Sequence, residues 1–186
     1  MILLGAVLLL NLAWLVLQVV TALVMELPLQ AVQLGLGPSW PVTSRLRVGL
    51  IPGAFVKFDP EILATLSFAR FSLLILMPWA ALGALAVIGG GAGVDDFVRG
   101  LTLLARVRDV FTHWGAWNEL LQLTPLATFA RLAARIVSLN LLPLSALAGG
   151  QLLMRLMTER ARIVFSIGSL LLIVAAVIYG LVSSSQ

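Results

Sequence analysis

Asn140-Leu-Leu-Pro143-Leu-Ser-Ala-Leu-Ala148-Gly149-Gly150 lies inside the third of four long apolar regions of this chain, and it interrupts what would otherwise be one continuous helix. Pro143 removes a backbone donor and the Gly149-Gly150 pair weakens helix continuity, so a kinked or broken helix is expected across 126–154. Irregular backbone at bilayer depth must find hydrogen-bond partners within the protein or along a cavity. The break is therefore where a site, present or former, is expected.

The rest of the chain supports a membrane setting. It has 186 residues, of which 61% are hydrophobic and 11% charged, with a mean hydropathy of +1.09. That is too apolar for a soluble domain of this size. Apolar regions at 2–25, 66–92, 126–154 and 163–183 are each expected to supply one transmembrane helix. The first twenty-five residues carry no ionisable side chain. They lack the basic start and short apolar core of a cleaved signal peptide, so 2–25 is read as a retained span. Cysteine is absent, which removes disulfides, thiolate zinc ligands and cysteine nucleophiles together.

The formal net charge is +4, with the basic residues in small clusters beside apolar segments. This pattern suits phospholipid headgroups and not nucleic acid. The clusters do not orient the chain. Arg45, Arg47, Lys57, Arg155, Arg160 and Arg162 would share one side, against Arg99, Arg106, Arg108, Arg131 and Arg135 on the other.

Between the first two apolar regions, alternation in Arg45-Leu-Arg47-Val and Phe55-Val56-Lys57-Phe58 flanks Pro52-Gly53, and predicts a short interfacial hairpin within 33–58 turning at that Pro-Gly pair. Trp40, Lys57 and the two arginines suit the interface. An irregular amphipathic loop is the alternative. Residues 97–121 place Phe97, Leu101, Leu104, Val107 and Phe111 at helical spacing, which predicts an amphipathic helix in the interface. The whole is expected to form a single membrane domain, all-α apart from the hairpin.

Three blocks in order resemble the site-2 proteases, a family of intramembrane zinc metalloproteases. Gly35-Leu-Gly37-Pro38 is similar to the family's Gly-x-Gly-Pro element. Ile51-Pro52-Gly53-Ala54-Phe55-Val56-Lys57-Phe58 is similar to its Pro-x-Gly-Gly-Tyr-Val-Lys hairpin, one glycine short. Asn140 through Gly150 is similar to its Asn-x-x-Pro-x-x-x-x-Asp-Gly helix, except that Ala148 stands where the family has its metal-binding aspartate. Counting back from Gly35 by the family's interval places its HExxH element on Trp14-Leu15-Val16-Leu17-Gln18, where none of the three chemical residues survives. The resemblance implies vestigial active-site positions at Trp14, Leu15, Gln18, Asn140, Pro143, Ala148, Gly149 and Gly150.

The loss of chemistry follows from the residues as well. A zinc protease needs two histidines on one helical face, a third ligand from another helix and a glutamate to activate the bound water. This chain has one histidine, no cysteine and eight carboxylates. Trp14 and Leu15 are expected to fill the vacated space, and Gln18 to bond across to Asn140 or to the carbonyl freed by Pro143, or else to face another subunit. No cofactor or metal is expected.

Other constellations carry less. His113 sits in an aromatic-rich stretch with only Asp109 and Glu119 near it in sequence, and reads as an interfacial, hydrogen-bonded histidine. Gly91-Ala-Gly93-Val-Asp95-Asp96 lacks the second intramembrane aspartate of an aspartyl protease and reads as a helix-ending acidic turn. Ser145 and Ser169 lack a nucleophile-elbow setting. Arg70, Arg131 and Arg135 are expected to snorkel, and otherwise to pair with carboxylates or bind lipid phosphate; lying deep, they would mark a partner subunit's acid or a headgroup pocket.

The reading that results is a catalytically inactive site-2-protease-like protein in a bacterial cytoplasmic (inner) membrane. It would serve as a structural or partner-binding subunit among other integral membrane proteins in a hetero-oligomer, with phospholipid and no nucleic acid as further partners. Trp40, Pro52, Gly53, Phe55 and Val56 would meet the partner. The alternatives are an intramembrane protease with a non-standard metal site, and a small channel or transporter subunit lined by the broken helix.

Overall fold

The computed structural model describes residues 2–106, 120 and 122–184. The chain is mostly helical with one small sheet. In order it forms α1 (Ile2–Val24), β1 (Leu29–Pro41), β2 (Leu46–Phe58), α2 (Pro60–Thr65), α3 (Phe68–Gly90), α4 (Val94–Leu101), a 3-10 turn (Leu103–Arg106), α5 (Pro125–Asn140), α6 (Ala148–Leu156) and α7 (Glu159–Ser184). Two compact units result, residues 1–85 and 86–186.

Three of these helices, α1, α3 and α7, are long and apolar enough to cross a membrane. They match the first, second and fourth apolar regions of the sequence. The third region folds as α5 and α6 with residues 141–147 between them, so the helix is broken where Pro143 predicts it. The 16 residues of α5 reach about 24 Å at 1.5 Å each, short of a bilayer's hydrocarbon thickness of about 30 Å.

In the first unit, α1 ends on Glu26, whose positive φ of 57° closes the helix. The guanidinium of Arg70 donates to the Met25 carbonyl at 2.9 Å, placing a cation at the helix's negative end. Below this, Ala22, Leu27, Leu66 and Leu74 form a small core with Leu29, Phe58, Ile62 and Phe71 packed on it. The foot of the hairpin is thereby seated on the helix ends. Asp59 caps α2, its Oδ1 accepting from the Glu61 amide at 2.9 Å, and Pro60 sits where no amide is needed.

The hairpin exists, but its turn is not at Pro52-Gly53. β1 pairs antiparallel with β2, and the turn is 42–45, where the Thr43 hydroxyl accepts from the Leu46 amide at 3.0 Å. Pro52 and Gly53 lie within β2 at a register irregularity opposite Gly35, a position that tolerates proline because the ladder is already interrupted. The ribbon also curls. Val32, Gln33 and Leu34 pair with Val56, Phe55 and Ala54 on one side and with Leu46, Arg47 and Val48 on the other. The Val32 amide donates to the Arg45 carbonyl at 2.7 Å, so the turn folds back to the foot of β1. Gly35, at φ 92°, makes this possible, since a side chain there would collide with the Gly49 carbonyl.

In the second unit, Asp95 and Asp96 begin α4; they do not end a helix, as the sequence suggested. Carboxylates belong at a helix's positive end, and Asp96 Oδ2 accepts from the Gly93 amide at 3.3 Å. α4 covers only the start of the expected 97–121 helix; residues 107–119, with Phe111 and His113, lie outside the described residues. α4 packs on α5, where Gly100 sits directly against Ser138 and the Arg135 carbonyl, and Gly90 at the end of α3 sits against Ala130. Ala130, Ala134 and Ser138 are buried at four-residue spacing, a stripe of small side chains that lets backbones approach closely.

Candidate functional site

Two places gather polar chemistry among apolar side chains, one in each unit. In the first unit, Trp14 and Gln18 stand four residues apart on α1, and so on one face of it. The Trp14 ring lies against Trp79 of α3, with centroids 5.5 Å apart and planes tilted by 36°. Gln18 is 4% exposed, and its Nε2 donates to the Leu74 carbonyl at 3.3 Å. That carbonyl needs a donor because Pro78, four residues on and buried within α3, has no amide to offer it. The expectation for Gln18 was right in kind and wrong in partner. It serves a proline-freed carbonyl, but the proline is Pro78 and not Pro143. The offset of four between Leu74 and Pro78 was visible in the sequence and identifies the acceptor.

Leu15, beside this pair, is buried, as are Leu74 and Leu82. Trp14 Nε1 and Ser72 Oγ are buried and find no partner among the described residues. The arrangement is a packed helix contact keyed by one side-chain amide. Asn11 and Thr21 turn their polar atoms onto their own helix, bonding the Val7 and Leu17 carbonyls.

On the hairpin, Trp40 and Phe55 are exposed, whereas Val56 is buried and presents no side chain to a partner. β2 alternates, so Val56 faces inward while Phe55 and Lys57 face out. The outer edge at Ala54, Phe55 and Val56 has no second strand among the described residues, while Arg47 and Val48 have strand neighbours on both sides.

In the second unit, the break between α5 and α6 is stitched by its own backbone. The amides of Leu141, Leu142, Leu144 and Leu147 donate to the Ser138, Leu139, Leu142 and Leu144 carbonyls. The Ser145 amide donates to Ser169 Oγ of α7 at 3.2 Å, and Ser169 is buried. Added methyl groups at Gly149 and Gly150 would land on the Leu141 and Leu144 carbonyls, so the glycines let the loop close on the first turn of α6. Ala148 is buried and Pro143 exposed. Asn140 donates from Nδ2 to its own Ile136 carbonyl at 2.9 Å.

The predicted lipid-binding arginines divide. Arg70 closes α1 as described. Arg135 pairs with Asp96, Nη2 to Oδ1 at 3.2 Å and Nε at 3.4 Å, with side-chain exposures of 19% and 10%. An intramembrane-type cation thus finds an acid within the same unit. In the sequence Asp95-Asp96 reads as an acidic turn; Arg135 lies 39 residues away, and the α4–α5 packing joins them. Arg131 is half-buried on α5.

Among the described residues no three of His, Asp and Glu gather as a metal-holding group. Comparison with protein-family models, curated proteins and solved structures gives no match to this chain.

Proposed function

We propose that this chain is a catalytically inactive relative of the site-2 proteases, acting as a structural or partner-binding subunit of a larger complex in a bacterial cytoplasmic membrane. The observation that carries the reading is the engagement of Trp14 and Gln18. These are the positions that the resemblance aligns with the family's two zinc-binding histidines. One is stacked on Trp79 and the other is bonded to the Leu74 carbonyl. Side chains that bind no cation well thus serve helix packing where ligation would occur. Leu15, in the place of the catalytic glutamate, is buried and apolar.

In this reading α5, the stitched break and α6 together make a fourth crossing, completing a site-2-protease-like core. A partner helix packs beside the exposed face of α1, where Leu8, Leu12 and Val16 are open. An extended partner segment adds along the free edge of β2 at Phe55, the mode by which sheets take up a strand.

The test is purification of the full chain from its native membrane in mild detergent, with stoichiometric identification of bound chains, metal analysis and a cleavage assay. Other integral membrane proteins at fixed stoichiometry are expected. Recovery as a lone, stable monomer overturns the subunit role. Stoichiometric zinc with chelator-sensitive proteolysis overturns the inactive one.

A further inference from the structure

We infer that the turn of the hairpin, residues 40–48, is a docking element for anionic phospholipid headgroups. The inference does not depend on the pseudoprotease reading. A straight ribbon of 13-residue strands would carry its turn about 43 Å from its foot. The curl prevents this, because the Val32 amide holds the Arg45 carbonyl and Leu46 to Val48 lie against Val32 to Leu34. Val32 is only eight residues beyond the end of α1, and Leu29 and Phe58 at the hairpin's foot pack on the core that joins the ends of α1 and α3. The turn is thereby returned to the level at which those helices leave the hydrocarbon.

What the turn presents there matches a negatively charged surface. Residues 27–58 contain Arg45, Arg47 and Lys57 and no Asp or Glu. Arg45 and Arg47 are exposed, and neither makes an ion pair among the described residues. Trp40 is 58% exposed and sits directly across the ladder from Val48, with Val42 exposed at the turn itself. A tryptophan and two valines beside two arginines combine interfacial partitioning with attraction to phosphate. A protein partner would have to supply its own acidic surface to do the same, whereas the bilayer is already adjacent.

The chain has no cysteine, so Ser44→Cys, exposed in the turn, takes a single environment-sensitive fluorophore. The labelled full chain is placed in nanodiscs of phosphatidylcholine with increasing phosphatidylglycerol, and emission and iodide quenching are followed. Rising phosphatidylglycerol is expected to blue-shift the label and shield it from iodide. Arg45→Gln and Arg47→Gln should each raise the phosphatidylglycerol content for half-maximal response by about fivefold. High salt should reverse the response in the unsubstituted background, which keeps the test independent of how the variants fold. A label indifferent to phosphatidylglycerol overturns the inference, and so does one equally shielded in phosphatidylcholine alone. A label that stays open in every bilayer and closes only when a co-purified protein is added assigns the turn to a protein partner instead.

Discussion

Replacing Gln18 with leucine removes the only side-chain donor that reaches the Leu74 carbonyl among the described residues, and the cost of that loss depends on Pro78. With proline at 78 the carbonyl is left buried and unbonded. At 3.3 Å the bond is long, and interhelical side-chain bonds in membranes average about 0.6 kcal/mol with a maximum of about 1.7. A loss of about 1 kcal/mol is therefore expected for Gln18→Leu. Pro78→Ala restores an amide that donates four residues back to Leu74, so in that background the same Gln18→Leu should cost close to nothing. The assay is a double-mutant cycle on the full chain in mixed micelles, with unfolding followed by circular dichroism as denaturing detergent is raised. A coupling of about 1 kcal/mol is expected. Equal losses with and without Pro78 would refute the reasoning, because the glutamine would then be stabilising something other than the proline-freed carbonyl.

Three further outcomes follow from the second unit. Gly100→Ala drives a methyl into Ser138 and the Arg135 carbonyl and should cost about 2 kcal/mol in the same unfolding assay, whereas Gly89→Ala, with open space around it, should be neutral or slightly stabilising. Asp96→Asn leaves the Arg135 guanidinium half-buried without its anion and should cost about 3 kcal/mol, with much of it recovered in an Asp96→Ala, Arg135→Met double variant. Ser169→Ala strands the Ser145 amide, and hydrogen exchange at 145 should quicken about fivefold, corresponding to about 1 kcal/mol of lost protection.

Much of the fold was legible because the bilayer imposes a length on apolar sequence. The regions 2–25, 66–92 and 163–183 meet helices α1, α3 and α7 within a few residues at each end. The break near Pro143 was legible for the same kind of reason, a missing amide. What the sequence hid were contacts between distant residues. Pro52-Gly53 is a strong local turn signal, but the turn went to 42–45, where Thr43 holds the amides and the curl could bring Arg45 to Val32. Gln18 could be seen to need an acceptor, yet two prolines competed to supply one. Asp95-Asp96 could have been placed at a helix start from charge alone, although its pairing with Arg135 rests on glycine–serine packing that periodicity does not reveal. At the aligned active-site positions, the substitution to Trp14, Leu15 and Gln18 was readable, while their tie to Trp79 and Leu74 was not.

The curled ribbon also bears on how the chain behaves in a crowd of its own copies. A long hairpin rich in valine and leucine would ordinarily offer two unpaired rims on which identical ribbons can polymerise. Here Val32 to Leu34, Arg47 and Val48 are already flanked on both sides by the same ribbon, so these positions are consumed intramolecularly. Open rims remain at 54–58 and at 39–41, where each residue has a strand neighbour on one side at most among the described residues, and Lys57 on the first is a charged deterrent to uncontrolled stacking.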